Sequence, residues 1–143
     1  NELMLLIRHE AARSRVKIVV NFPEVLSKIN IDAEKIKQAL LNLILNGIQA
    51  LKDGGQIDIK LTDTAESLQI CIANNGPEIP LDLQERIFEP FYTTKSSGTG
   101  LGLAITRKIV ELHRGKMELE SGPDLTLFRI ILPHGETNGQ ADN

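Results

Sequence analysis

The sequence has one cysteine, little net charge and no long apolar run, and each shortage excludes something. Cys71, in the apolar run LQICIA, has no partner, so no internal disulfide can form and a reducing cytoplasm is the natural setting. It has no metal-ligand pattern or helix start around it and reads as a residue packed in a strand. The formal net charge of −3 gives no broad attraction to nucleic acid or an anionic membrane, so a phosphorylated ligand must be held by a local site. No apolar stretch approaches the roughly 20 residues of a membrane span, and no signal-peptide pattern opens the chain. With 41% hydrophobic and 24% charged residues among 143, the composition is that of one soluble globular domain with a real core. The chain begins at Asn1 without a methionine and reads as a fragment of something longer, whose anchoring these residues do not record.

Hydrophobic periodicity gives an alternation of helix and strand without repeats. From about Glu2 to Arg15, Leu3, Leu6, Ile7 and Ala11 recur at helical spacing, and KIVVNF then reads as a strand. Asp32 is a good N-cap for a second helix with an apolar stripe of Leu40, Leu41, Ile44, Ile48 and Leu51, stopped at Asp53-Gly54-Gly55. QIDIKLT alternates cleanly, with Ile57, Ile59 and Leu61 on one face, and LQICIA follows as its antiparallel partner. Asn74 to Thr99 is irregular apart from a short helix expected at Leu81 to Arg86. LGLAITRKIVELH is a third helix closed by Gly115, and KMELE and LTLFRIIL are strands paired around a Gly122-Pro123 turn. Residues 1–133 thus form one domain, with 134–143 a frayed polar tail from His134 onward.

Three segments carry chemistry. On the second helix Gln38, Asn42, Asn46 and Gln49 recur at spacings of four, four and three, one narrow stripe opposite the apolar one. Helix interiors disfavour asparagine, and its amide oxygen suits Mg²⁺, which takes few protein oxygens alongside substrate phosphates. A solvated polar face accounts for the stripe equally well. IANNGPEIP ends a strand in a polar turn that turn chemistry alone explains. TTKSSGTGLGLAI feeds glycines into a helix N-terminus, where free N–H groups and the helix dipole favour a phosphate, the dipole by roughly 0.3–1 kcal/mol. The segment matches neither the dinucleotide-binding pattern nor a P-loop. A flexible linker is the plainer alternative, although linkers rarely alternate glycine with leucine.

In this order, LLNLILNGIQA resembles the N box, IANNGPEIP the first glycine box, IFEPFYTTK the F box and GTGLGLAI the second glycine box of histidine kinase catalytic domains. The resemblance spans nearly the whole chain. It implies an α/β fold, the two-layer Bergerat sandwich, with a mixed, mainly antiparallel sheet on three helices and ATP held under a mobile lid. It also implies a catalytic fragment that passes the γ-phosphoryl group of ATP to a histidine on a separate helical phosphoacceptor domain, with a response regulator downstream. Neither nucleic acid nor direct membrane contact is implied.

By the same resemblance Asn46 coordinates Mg²⁺ and Asn42 lies beside the phosphates. Asn74 meets the adenine amino group, Gly76 lets the base approach the backbone, and Ile79 is among the residues that bind the nucleotide. Phe88, Phe91 and Tyr92 brace a lid that includes Thr93, Thr94 and Lys95. Gly98, Thr99, Gly100, Leu101, Gly102 and Leu103 wrap the phosphates.

The chain departs from the family pattern in three places. Asn74 replaces the usual Asp, Glu78 stands where a second glycine is common, and Gln49 replaces a frequent basic residue, which makes Lys95 the preferred γ-phosphate contact. These leave open a nucleotide-impaired module that only relays conformation; an ATP hydrolase of the same fold is the other alternative. ATP hydrolases of this fold carry Glu one turn before the Mg²⁺-binding Asn as a general base; here that place is Asn42, whose amide cannot take a proton. RHEAARS is similar to the His-Glu start of a phosphoacceptor helix. A strand begins already at Val16, however, so His9 is not expected to be the acceptor, nor are His113 and His134.

Overall fold

A computed structural model of the chain describes residues 2–24, 31–51, 53–89 and 102–134. Helix α1 (Glu2–Ser14) ends where Arg15 turns left-handed at φ 59°, and the chain enters strand β1 (Val16–Asn21) directly. Helix α2 (Ala33–Ala50) starts at Asp32, whose side chain accepts from the Lys35 N–H and so satisfies one of the free donors of the first turn. It buries Ile36, Ala39, Leu43, Ile44, Gly47 and Ile48, a wider stripe than the sequence pattern marks. Strands β2 (Gly55–Asp63) and β3 (Ser67–Asn74) form the expected hairpin. Helix α3 (Gly102–Leu112) and strands β4 (Lys116–Gly122) and β5 (Leu125–Pro133) complete the described chain.

The five strands run in the order β1-β2-β3-β5-β4, with β1 parallel to β2 and every other pair antiparallel. The parallel pair follows from the crossover through α2, which returns the chain in the same direction. Three helices lie against one face, so the mixed, mainly antiparallel sandwich expected from the sequence is the fold that forms. Register aligns side chains into rows across the helix-facing side. Leu61, Ile70, Ile130 and Met117 form one row and Ile59, Ile72, Phe128 and Leu119 the next. These rows meet α1, α2 and α3 in a single apolar core.

Several local expectations are corrected. The short helix expected at Leu81 to Arg86 is instead two 3₁₀ turns, Leu81–Leu83 and Arg86–Phe88. The first begins after Pro80, and Gln84 between them turns its side chain back to the Ile79 carbonyl. Gly115 does not supply the left-handed residue that closes α3; Arg114 does, at φ 61°. Gly115 is glycine for a different reason, since an added Cβ would run into the Ile131 backbone carbonyl. The last hairpin turns on Pro123 and Asp124, with Asp124 left-handed at φ 60° and Gly122 still paired to Leu125. His134 is tied down rather than frayed: its N–H donates to the Glu66 carbonyl at 2.9 Å and its ring lies 2.7 Å from Asp63 Oδ1.

Candidate functional site

At one end of the helix-facing side the next row of the sheet reads Ile57, Asn74, Thr126 and Ser121, so three of its four members are polar. Asn74 is 6% and Thr126 3% exposed, so each needs a partner inside the protein. Asn74 Oδ1 accepts from the Gly76 N–H at 2.9 Å, closing a tight turn as β3 ends. Gly76 is buried there, and a Cβ would sit 2.9 Å from Asn74 Oδ1 and 3.0 Å from Leu51 Cδ2, so packing against the end of α2 alone requires glycine. Ile79 is half-buried, while Glu78 beside it is exposed.

Helix α2 passes over this end of the sheet. A Cβ on Gly47 would lie 3.1 Å from Ile57 Cδ1 and 3.6 Å from Asn74 Nδ2, which measures how closely the helix backbone approaches Asn74. Five residues earlier, about 7.5 Å along the helix axis, Asn42 Nδ2 donates to the Gly102 carbonyl at 3.3 Å. The same carbonyl accepts from Thr106 Oγ1 at 2.8 Å, and Thr106 is fully buried. The first turn of α3 is therefore docked on α2 through Asn42. Asn46 lies between these two contact points in sequence and is half-buried; Gln38 and Gln49 are exposed. Of the polar stripe, then, only its middle pair is enclosed by the fold. Leu103 is half-buried and packs on the core.

Phe88 stands edge-on to Phe128, with ring centroids 6.2 Å apart and planes at 85°. The Arg107 guanidinium of α3 lies 5.2 Å from the Phe88 ring centroid, a cation–π contact that ties the second 3₁₀ turn to α3. Phe91, Tyr92, Thr93, Thr94, Lys95, Gly98, Thr99, Gly100 and Leu101 lie outside the described residues. The structure thus brings together Asn42 with Gly102, and Asn74 with Gly76, at opposite ends of one stretch of α2. Sequence reasoning missed Thr106, Thr126 and Ser121. The last two were visible in principle, because Thr126 continues the inward alternation of Phe128, Ile130 and Leu132, and Ser121 that of Met117 and Leu119, with a hydroxyl where an apolar side chain belongs.

His9 is exposed on α1, which runs straight into strand β1. His113 bridges the two helices at the end opposite to Gly102, with Nδ1 2.9 Å from the Ile109 carbonyl and Nε2 accepting from the Asp32 N–H at 3.0 Å. Cys71 is half-buried in β3. No helix among the described residues is long and apolar enough to cross a membrane.

Among the described residues, a five-stranded mixed sheet under three helices, with amides and the start of α3 on the same side, defines an α/β sandwich. Residues 31–136 match the family described as histidine kinase-, DNA gyrase B-, and HSP90-like ATPase, and the chain belongs to that family. It is 41% identical over 134 residues to the signal transduction histidine-protein kinase AtoS of Escherichia coli and 36% identical over 133 residues to sporulation kinase A of Bacillus subtilis. Each match takes in 92% of this chain and 22% of the relative, so the chain spans about a fifth of the length of these curated relatives. A nucleotide-free catalytic domain of histidine kinase ThkA superposes with a TM-score of 0.84 at 35% identity, covering 93% of this chain and 88% of that one. A ThkA structure in complex with the response regulator TrrA matches at 0.80 and 31% identity, covering 96% and 40%. Within its family the chain is therefore an ATP-binding catalytic domain of the sensor histidine kinase kind.

Proposed function

We propose that this domain binds Mg²⁺-ATP between α2, the start of α3 and the turn after β3. It then transfers the γ-phosphoryl group to a histidine on a separate helical domain of the same kinase, from which a response regulator takes it. The adenine lies toward Asn74, Gly76 and Ile79, and the phosphates toward Asn42, Asn46 and the Gly102 end of α3. Lys95 and the glycines before Gly102 complete the phosphate side. The working unit runs from α1 to the end of β5 and acts in the cytoplasm.

The single observation that carries this reading is the engagement of Asn42. Its amide donates to the Gly102 carbonyl at the α2 position where a hydrolase of this fold would hold a carboxylate general base. An amide is not basic enough at neutral pH to take a proton from water, so the nucleophile comes from outside the domain. Positioning and charge neutralisation then do the chemical work, as is usual for phosphoryl transfer.

The donor set fits a metal that arrives on phosphate. Among the described residues no cluster of three or more His, Cys, Asp or Glu could hold an ion alone. One neutral amide oxygen, that of Asn46, suits Mg²⁺, which keeps its waters and binds phosphate oxygens. When bound it neutralises phosphate charge. Calorimetric titration with ATP, with and without Mg²⁺, tests the assignment in wild type and Asn46→Ala. The variant is expected to lose Mg²⁺-dependent affinity while unfolding at the wild-type temperature. Undiminished binding would move the metal off α2.

A further inference from the structure

The backbone from Pro77 to Pro80 belongs to no strand or helix, and its two prolines have no N–H to offer. Three of its other polar groups are met by side chains, and the Pro80 carbonyl accepts from the Leu83 N–H. The Ile79 N–H donates to Ser121 Oγ at 2.8 Å, Ser121 Oγ lies 2.8 Å from Thr126 Oγ1, and Thr126 Oγ1 donates to the Pro77 carbonyl at 3.3 Å. Either hydroxyl can donate in the Ser121–Thr126 bond; when Thr126 gives its proton to Pro77, it accepts from Ser121. The Leu125 carbonyl, at 3.4 Å, is the longer of the two acceptors open to the Ser121 hydroxyl. Gln84 Nε2 holds the Ile79 carbonyl at 3.0 Å from the other side. Ser121 and Thr126 are a registered cross-strand pair of β4 and β5, and Thr126 is also registered with Asn74 of β3.

We propose that Ser121 and Thr126 act as positioning residues for the nucleobase, a two-hydroxyl latch that fixes the Pro77–Ile79 backbone against the β4–β5 hairpin at the height of Asn74. Neither hydroxyl needs to touch the ligand. The inference rests on the reading that the base sits against Asn74, Gly76 and Ile79. A loop without regular hydrogen bonds would sample many conformations, and fixing it only on binding would cost affinity; the latch fixes it beforehand. Because Ser121 meets the Ile79 N–H and Thr126 the Pro77 carbonyl, losing either hydroxyl leaves one of these backbone groups without that partner.

The test uses this chain with Ser121→Ala, Thr126→Val and Thr126→Ser. Binding of Mg²⁺-ATP and of Mg²⁺-tripolyphosphate, which has the phosphates but no base, is measured for each, along with the amide exchange rate of Ile79. Ser121→Ala and Thr126→Val should weaken ATP by roughly two- to tenfold, the equivalent of one neutral hydrogen bond, and speed exchange at Ile79. Tripolyphosphate affinity should stay at the wild-type value, and Thr126→Ser, which keeps the hydroxyl, should bind ATP as wild type does. Equal losses for ATP and tripolyphosphate, or unchanged ATP affinity in Ser121→Ala despite faster Ile79 exchange, would overturn the latch. Failure of wild type itself to bind ATP more tightly than tripolyphosphate would overturn the base assignment and the latch with it.

Discussion

The two ends of the helix-facing side of the sheet use the same strands and differ by one step of register. The row Ile59, Ile72, Phe128 and Leu119 is wholly apolar; the row Ile57, Asn74, Thr126 and Ser121 is mostly amide and hydroxyl. The apolar row contributes through burial, at about 1.5–3 kcal/mol for each large side chain removed from water. A polar row this well buried contributes little net stability even when satisfied, and each group left unsatisfied would cost about 1–3 kcal/mol. Its members are all engaged, Asn74 with Gly76, Thr126 with Pro77 and Ser121 with Ile79. One end of the sheet therefore holds the domain together, and the other spends its side chains shaping the turn where the ligand is proposed to sit.

The sharpest break between the two ends should come from Phe128→Ala. Phe128 is 2% exposed and stands edge-on to Phe88, so its removal should cost about 3–5 kcal/mol in urea unfolding. The remaining folded fraction should still bind ATP, because the ring lies in the apolar row. A stability close to wild type would mean that this row is not the core.

How far this division could be read from the sequence differs between the two ends. Alternation in QIDIKLT and LTLFRIIL marks the apolar rows, because period-two patterning reports directly which side chains turn inward. The amides Asn42, Asn46 and Asn74 stand out because helix interiors and strand ends on an apolar face do not favour them. Their partners were not legible, because Asn42 meets Gly102 across sixty residues of chain, a contact no local pattern encodes. Ser121 looks like the onset of a turn when read beside Gly122 and Pro123. Gly115 misled for a related reason: a glycine after a helix signals a left-handed cap, whereas here the pressure on it comes from the Ile131 carbonyl of a strand that follows later.

A smaller effect should follow from Asn74→Asp at the polar end. With Asn74 Oδ1 engaged by the Gly76 N–H, the rest of the amide is an NH₂ group, a donor, where a carboxylate would offer a second acceptor. An acceptor favours the exocyclic amino group of adenine and repels the carbonyl that guanine presents there. The substitution should raise the preference for ATP over GTP by roughly two- to tenfold, with desolvation of the new carboxylate offsetting part of the gain in absolute affinity. An ATP/GTP ratio that does not move in parallel titrations would show that Asn74 does not face the base.

The smallest effect belongs to the opposite face of the same strands. There Arg129 Nη1 donates to Glu118 Oε1 at 2.8 Å and Glu120 Oε2 at 3.2 Å. Hydrogen bonding to Glu118, then Cys71 and Glu120, holds its charge more firmly than usual. Glu120 is well exposed, so Glu120→Ala should change stability by less than about 1 kcal/mol and leave ATP affinity untouched. A larger loss by urea denaturation would give this outer ladder a structural weight comparable to the core rows.

The most direct measurement follows the γ-phosphate of labelled ATP with this chain alone and with a matching helical histidine domain added in trans. With Asn42 holding Gly102 in place of a general base, the label is expected on the added histidine, with little phosphate released to water and none on the chain itself. Rapid release of phosphate by the chain alone, or stable labelling lost with His9→Ala, would contradict a domain built to take its nucleophile from a partner.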